Sequence, residues 1–413
     1  MGSVIARALR WMIRHRNRIP LLGGFIASAE NDPRGLASRI VYHSLGADRS
    51  RPSTTSTPTG TIRVIVGPTN YAGQGNLWAL AMAEHVPDLG ARSLSVATPG
   101  AIAFEADTTV ALPVYRHSHR WQDAEYAAVV DGFTHVLMES MRPLFGLRFD
   151  DVTAEIAALR EHGLSVALIA HGTDVRSPTR HASAHRWSPF AGSSSSRTLE
   201  ATAELNRHIA ETLGLPLFVS TLDLLDDLPD AAWCPVVIDP HRWRSSSPPL
   251  SDNAVPVVVH TASSAHVKGS ALIEPALRRL HADGRIVYRP LTGVPSERMP
   301  DELRRADIVL DQFRLGSYGV AACEAMAAGR IVIGHVSHTV RERVTEETSL
   351  ELPMIESSPD EIAEVLLRVL DDPDGARKTA DRGVQFVDQV HSGAASATAL
   401  LDGWLAHSKP AGG

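Results

Sequence analysis

Between Asp311 and Arg330 the chain reads DQFRLGSYGVAACEAMAAGR, a run of small residues with one carboxylate, Glu324, two turns behind the glycines Gly316 and Gly319. A carboxylate among apolar neighbours is costly unless something bonds to it. Glycines at a helix entry let a ligand approach the first backbone N–H groups, which lack intrahelical partners and carry the positive end of the helix dipole. A phosphate suits such an entry, and the amides from Ser317 through Tyr318 to Gly319 would face it. At 1.5 Å per residue, Glu324 lies roughly 8 to 10 Å farther along the axis, and helix side chains lean back toward the N-terminus. Its carboxylate therefore falls about one sugar ring beyond the phosphate, where a ribose diol offers two hydroxyl donors. Spacing alone leaves a second option open, in which Glu324 bonds to neighbouring backbone or to an arginine.

The segment HTASSAHVKGSALIEPALRRL supplies a second group, Lys268, at the turn from a strand into a helix. Of the 40 Lys and Arg residues only Lys268, Lys378 and Lys409 are lysines, so an ammonium here stands out against the composition. A compact cation at such a turn matches a phosphate oxygen. The plainer alternative is a solvent-facing helix start. A third group is His171 in VALIAHGTDVRSP, at the carboxyl end of an apolar run and followed by Asp174.

The elements that must position these groups alternate in type. TIRVIVGP is a short β-branched run, the mark of a buried strand in a parallel sheet, and an apolar-periodic helix follows it. Further strands fall near 92–97, 134–138, 164–170 and 216–220. The rhythm breaks at SSSPPLSDNA and restarts at VPVVVH, with strands near 256–260, 285–289, 307–311 and 331–334 and helices near 269–282, 300–305 and 317–328. The pattern predicts an α/β protein of two doubly wound, Rossmann-like domains facing a cleft, with ligands at the carboxyl ends of the strands. The predicted segments are a basic extension and linker over 1–60, a first domain over 61–240, a second over 241–390, and a closing helix and tail over 391–413.

Composition narrows the function classes. Two cysteines, Cys234 and Cys323, exclude a disulfide framework and suit a reducing, cytoplasmic setting. The net charge of −7 hides an asymmetry: residues 1–60 hold nine arginines against three acids, so the remainder is strongly acidic and ill suited to nucleic acid. Residues 4–26 mix arginines at helical spacing with apolar residues, which fits either peripheral contact with the inner face of a membrane or a helix packed on the body. The loop GPTNYAGQGN is not a G-x-G-x-x-G fingerprint, which disfavours a dinucleotide cofactor. No cluster has metal-ligand spacing, so no metal is expected.

The texts HVKGSALIEPALRRL, RADIVLDQFRLGSYGVAACEAMAAGRIVI and SPDEIAEVLLRVLDDPDGARKTADRGVQFV resemble the C-terminal half of family-4, GT-B-fold retaining glycosyltransferases, over Val257 to His391. The resemblance implies a metal-independent hexosyltransferase-type enzyme with a nucleoside diphosphate sugar of UDP or GDP type as donor and no further cofactor. It implies that Lys268 contacts the diphosphate, Glu324 the ribose and His171 the donor sugar, and that Gly73 and Gly75 lie in a loop facing the donor. Two departures stand out. The family commonly has a glutamate where this chain has Gly316, and an arginine shortly before the lysine where this chain has Ser263, Ser264, Ala265 and His266. Arg314 is the expected replacement for the missing charge, Asp311 a further sugar contact, and Asp174 a group to polarise the acceptor hydroxyl. The rival readings are a nucleotide-sugar epimerase or phosphorylase on the same fold, and a catalytically degenerate nucleotide-sugar-binding scaffold.

Overall fold

The computed structural model describes residues 53–98, 102–193, 195–251, 254–261 and 264–408, together with Gly35 and Ser38. The basic segment 4–26 lies outside the described residues, as does Ser263. Two sheets carry the fold. The first has seven strands: β1 (Ile62–Gly67), β2 (Leu89–Ala97), β3 (Thr108–Ala111), β4 (His135–Glu139), β5 (Ser165–Ala170), β6 (Leu217–Val219) and β7 (Ala232–Trp233). The second has five: β8 (Val257–Thr261), β9 (Val287–Leu291), β10 (Ile308–Leu310), β11 (Ile331–Gly334) and β12 (Ile355–Glu356). Their orders are β3-β2-β1-β4-β5-β6-β7 and β12-β11-β10-β8-β9. The described residues divide into two compact units, one reaching Ala83 and holding Pro87–Leu168 and Ser408, the other holding Glu84–Val86 and Ile169–His407.

In the five-stranded sheet the ladders are parallel, with Ile308 beside Val258 and Ile331, and Leu310 beside His260 and Ile333. Alternation along these strands sorts the side chains by face. Val258, Ile308, Leu310, Ile331 and Ile333 pack with Ile273, Leu277 and Ile362, while Val259, Val309 and Val332 pack with Ala322, Ala325 and Met326. Full burial of each Val, Ile, Leu or Met among them contributes about 1.5–3 kcal/mol. The order reverses between β8 and β10, which is where ligands settle in open α/β sheets. Lys268 comes shortly after β8, and Asp311 directly after β10.

The seven-stranded sheet has the same feature between β1 and β4, which pair in parallel from Val64 beside His135 to Gly67 beside Met138. Glu139, at the carboxyl end of β4, is buried and organises the loop after β1. Its carboxylate accepts from the backbone N–H of Thr69 at 3.0 Å and of Asn70 at 2.9 and 3.1 Å. A Cβ at Gly75 would stand 2.9 Å from Glu139 Oε2, so the carboxylate fits only over a residue without a side chain. Gly73 lies in the same loop, its N–H bonded to the Asn70 carbonyl at 3.1 Å.

Three strands were not visible in the sequence: β3, β7 and β12. All are short sheet edges, so they lack the continuous apolar run of a strand flanked on both sides. The Ser/Thr/Pro stretch before Thr61 is also more integrated than its composition suggests. Thr55 is buried, and its N–H donates at 2.9 Å to the buried Glu125 carboxyl. Among the described residues no helix is long and apolar enough to cross a membrane.

Glu139→Gln keeps the side-chain shape but exchanges an acceptor oxygen for an amide donor facing two backbone N–H groups. The expected cost is about 1–3 kcal/mol of stability, read as a lower urea midpoint with an unchanged m-value.

Candidate functional site

Lys268 ends the short helix Ala265–Lys268, which Ser264 caps through a bond from the Val267 N–H. Its carbonyl accepts from the Phe313 N–H at 3.0 Å, which fixes the helix end against the chain leaving β10. Across the switch point, Lys268 Nζ donates to Asp311 Oδ1 at 2.6 Å. The lysine side chain is 17% exposed and the aspartate 2%. The second oxygen of Asp311 is buried and has no hydrogen-bond partner. A lysine ammonium has three donors, so the bond to Asp311 leaves two for a ligand.

The loop from Asp311 to Gly319 is shaped by Gln312. Its Oε1 accepts from the N–H of Leu315 at 2.7 Å and of Arg314 at 3.2 Å, and its Nε2 donates to the carbonyls of Ser317 and His335. The helix Val320–Ala327 then starts at Gly319 with no side-chain capping bond, and a Cβ at Gly319 would meet nothing within 4 Å. An uncapped start beside open space leaves its first N–H groups without a side-chain partner.

Glu324 sits on this helix, half-buried, and among the described residues its carboxyl has no hydrogen bond or ion pair. Burial pushes its pKa up to about 8; the positive Lys268 and Arg242 pull it down, and Asp311 adds to the rise. These couplings place Glu324 within electrostatic reach of the Lys268–Asp311 pair.

Other expected residues have different surroundings. Arg314, expected to supply a charge to the diphosphate, is bound to backbone carbonyls. Its guanidinium donates to the carbonyls of Trp187 at 2.6 Å, Ser188 at 2.6 Å and His266 at 3.1 Å, and its stem crosses so close to Gly269 that a Cβ there would lie 2.9 Å from Arg314 Cγ. Tyr318 faces the core, 6% exposed, with its hydroxyl 3.3 Å from His391 Nε2. Ser317 Oγ donates to Asp223 Oδ1 at 2.7 Å, and Asp223 is paired through its other oxygen with Arg176. His171 follows β5 as expected. Asp174, expected to polarise an acceptor, receives the N–H groups of His171 and Gly172 on its two oxygens, which shapes the turn that carries the histidine. Gly73 and Gly75 belong to the other unit, with Glu139. Asp223, Gln312 and Glu139 were missed from the sequence because each works through long-range or backbone bonds that leave no local motif.

Comparison with known proteins adds a likeness over the second half of the chain. Residues 266–402 match the family model described as glycosyl transferase-like. The chain has the GT-B fold, and over residues 266–402 it is similar to the glycosyl transferase-like family. The matched segment contains Lys268, Asp311 and Glu324. Its fold is similar to that of sucrose-phosphate synthase from Thermosynechococcus elongatus, at 14% identity and a TM-score of 0.51 over 83% of this chain and 97% of that one. HepE from Anabaena, solved in complex with UDP, matches at 12% identity and a TM-score of 0.51 over 83% of this chain and 98% of that one. Its complex with UDP-glucose matches at a TM-score of 0.50 and 12% identity, over 82% and 99%. No curated protein sequence matches the chain.

Lys268→Ala strands Asp311 as a buried, unpaired carboxylate. Breaking a fully buried pair costs about 3–5 kcal/mol; because Lys268 keeps some exposure, about 2 kcal/mol is expected here. Adding Asp311→Asn to Lys268→Ala should recover at least half of the loss in urea denaturation.

Proposed function

We propose that the protein is a glycosyltransferase that moves a hexosyl group from a nucleoside diphosphate sugar to an acceptor hydroxyl, with retention and without a metal. The observation that carries the reading is the meeting of three features at the β8/β10 switch point: a partly open lysine, an uncapped helix start and a half-buried glutamate without a hydrogen-bond partner among the described residues. A diphosphate fits between the ammonium and the helix start, and the ribose diol reaches Glu324 beyond it. The match to the glycosyl transferase-like family and the UDP and UDP-glucose complexes of HepE support a donor of UDP type.

In the transfer, the bond from the anomeric carbon to the diphosphate oxygen breaks and the acceptor oxygen bonds to the same carbon. The acceptor proton passes to the departing diphosphate, which grows basic as it leaves. Lys268 and the helix start stabilise the negative charge that develops there, a role that needs fixed donors in a site shielded from water. Retention rests on the resemblance to family 4. A cytoplasmic setting, where the two buried cysteines stay reduced, fits the same reading.

Glu324 gives the reading a pH signature. In the free protein its carboxyl holds a proton up to about pH 8, whereas a diol with two hydroxyl donors favours the ionised form. Binding therefore releases a proton below that pH. At pH 7 about one tenth of the protein is in the ionised form, so UDP affinity should rise by up to about tenfold between pH 7 and pH 9. Calorimetry of UDP binding in two buffers of different ionisation enthalpy measures the proton release. Glu324→Gln should abolish that release and flatten the profile; a wild-type protein that binds UDP with no such release contradicts the role given to Glu324, and one that binds none of UDP, GDP and ADP contradicts the donor site.

A further inference from the structure

Gly316, the position where the resembling family commonly carries glutamate, is filled from elsewhere in the chain. With φ of +65°, a Cβ built there would stand 2.8 Å from His185 Cε1 and 2.9 Å from His185 Nδ1. The imidazole of His185 thus occupies the space a side chain at 316 would need, three residues ahead of the helix start at Gly319.

The setting of His185 is that of a prepared contact. Its ring stacks on His181, with centroids 4.3 Å apart and planes at 25°. Both nitrogens of His181 are engaged, Nδ1 with Ser188 Oγ at 2.8 Å and Nε2 with the Leu315 carbonyl at 3.2 Å. His185 has no such ties: among the described residues neither ring nitrogen has a hydrogen-bond partner. Its backbone is nonetheless fixed, since its N–H bonds to the His181 carbonyl and its carbonyl accepts from Ser188. Arg314 holds the following carbonyls of Trp187 and Ser188. Burial and the neighbouring His335 keep the imidazole below its ordinary pKa, so at neutral pH one nitrogen donates and the other accepts.

From this geometry we infer that His185 recognises a hydroxyl of the transferred sugar and sets donor specificity from the place of the absent residue-316 side chain. The inference rests on the proposed donor site. A neutral ring with one donor and one acceptor suits a hydroxyl. The phosphates already have a cation and a helix start to meet their charge.

The test compares UDP with UDP-glucose, GDP with GDP-glucose and ADP with ADP-glucose on the full chain, taking the ratio of the two affinities within each pair. His185→Phe keeps the stack on His181 and removes both ring nitrogens; His185→Asn keeps a donor and an acceptor on a smaller side chain. For the nucleotide that binds, His185→Phe should lower the sugar-to-diphosphate affinity ratio about tenfold while diphosphate affinity changes less than twofold, and His185→Asn should retain more of the ratio. An unchanged ratio in His185→Phe, or equal losses for the diphosphate and its glucose conjugate, overturns the inference while leaving the donor site standing. Failure of the wild-type protein to bind any of the six compounds instead removes the donor site on which the inference rests.

Discussion

The ion pair between Lys268 and Asp311 is the constraint around which the site is arranged. An aspartate that comes after β10 and is almost wholly buried requires a cation, and the chain provides the one lysine that comes shortly after β8. The bond spans the gap where the strand order reverses, so it fixes an ammonium at the point that the sheet leaves open. Because the pair is close to neutral, the positive character offered to a ligand comes from the remaining ammonium donors and the uncapped start of Val320–Ala327 acting together. Glu324 can then stand nearby without strong repulsion, since burial keeps its proton on at neutral pH.

Most of the polar groups around this centre are committed to holding backbone. Gln312 folds the loop ahead of the helix, Arg314 ties that loop to the carbonyls of Trp187 and Ser188, and Asp223 joins Ser317 to Arg176. Such ties cost side-chain freedom, and they give a loop that would otherwise be mobile a single shape before a ligand arrives. The other unit uses the same device at its own switch point, where a carboxylate at the end of β4 gathers the N–H groups of the loop after β1.

The sequence made the parallel α/β architecture legible, because buried parallel strands such as TIRVIVGP and VPVVVH are continuous apolar runs and the intervening helices have their own period. Glu324 stood out as a carboxylate among small residues and Lys268 as a rare lysine at a strand-to-helix turn, but the bond from Lys268 to Asp311, which was expected as a sugar contact, spans 43 residues and leaves no local signal. The edge strands β3, β7 and β12 were not legible, since an edge imposes no such run. The surroundings of Arg314 and Asp174 could not be read either. Whether an arginine faces a ligand or a carbonyl more than a hundred residues away depends on tertiary contacts, and Arg314 to Trp187 is a contact of that kind. The place of His185 beside Gly316 could not be read either, because its partner is a glycine, whose role here is to make room.

A crystal structure of the protein soaked with UDP would test the central claim most directly. The account predicts the diphosphate between Lys268 Nζ and the N–H groups at the start of Val320–Ala327, with both ribose hydroxyls on the Glu324 carboxylate. Density for UDP elsewhere, with Lys268 and Glu324 untouched, would contradict it.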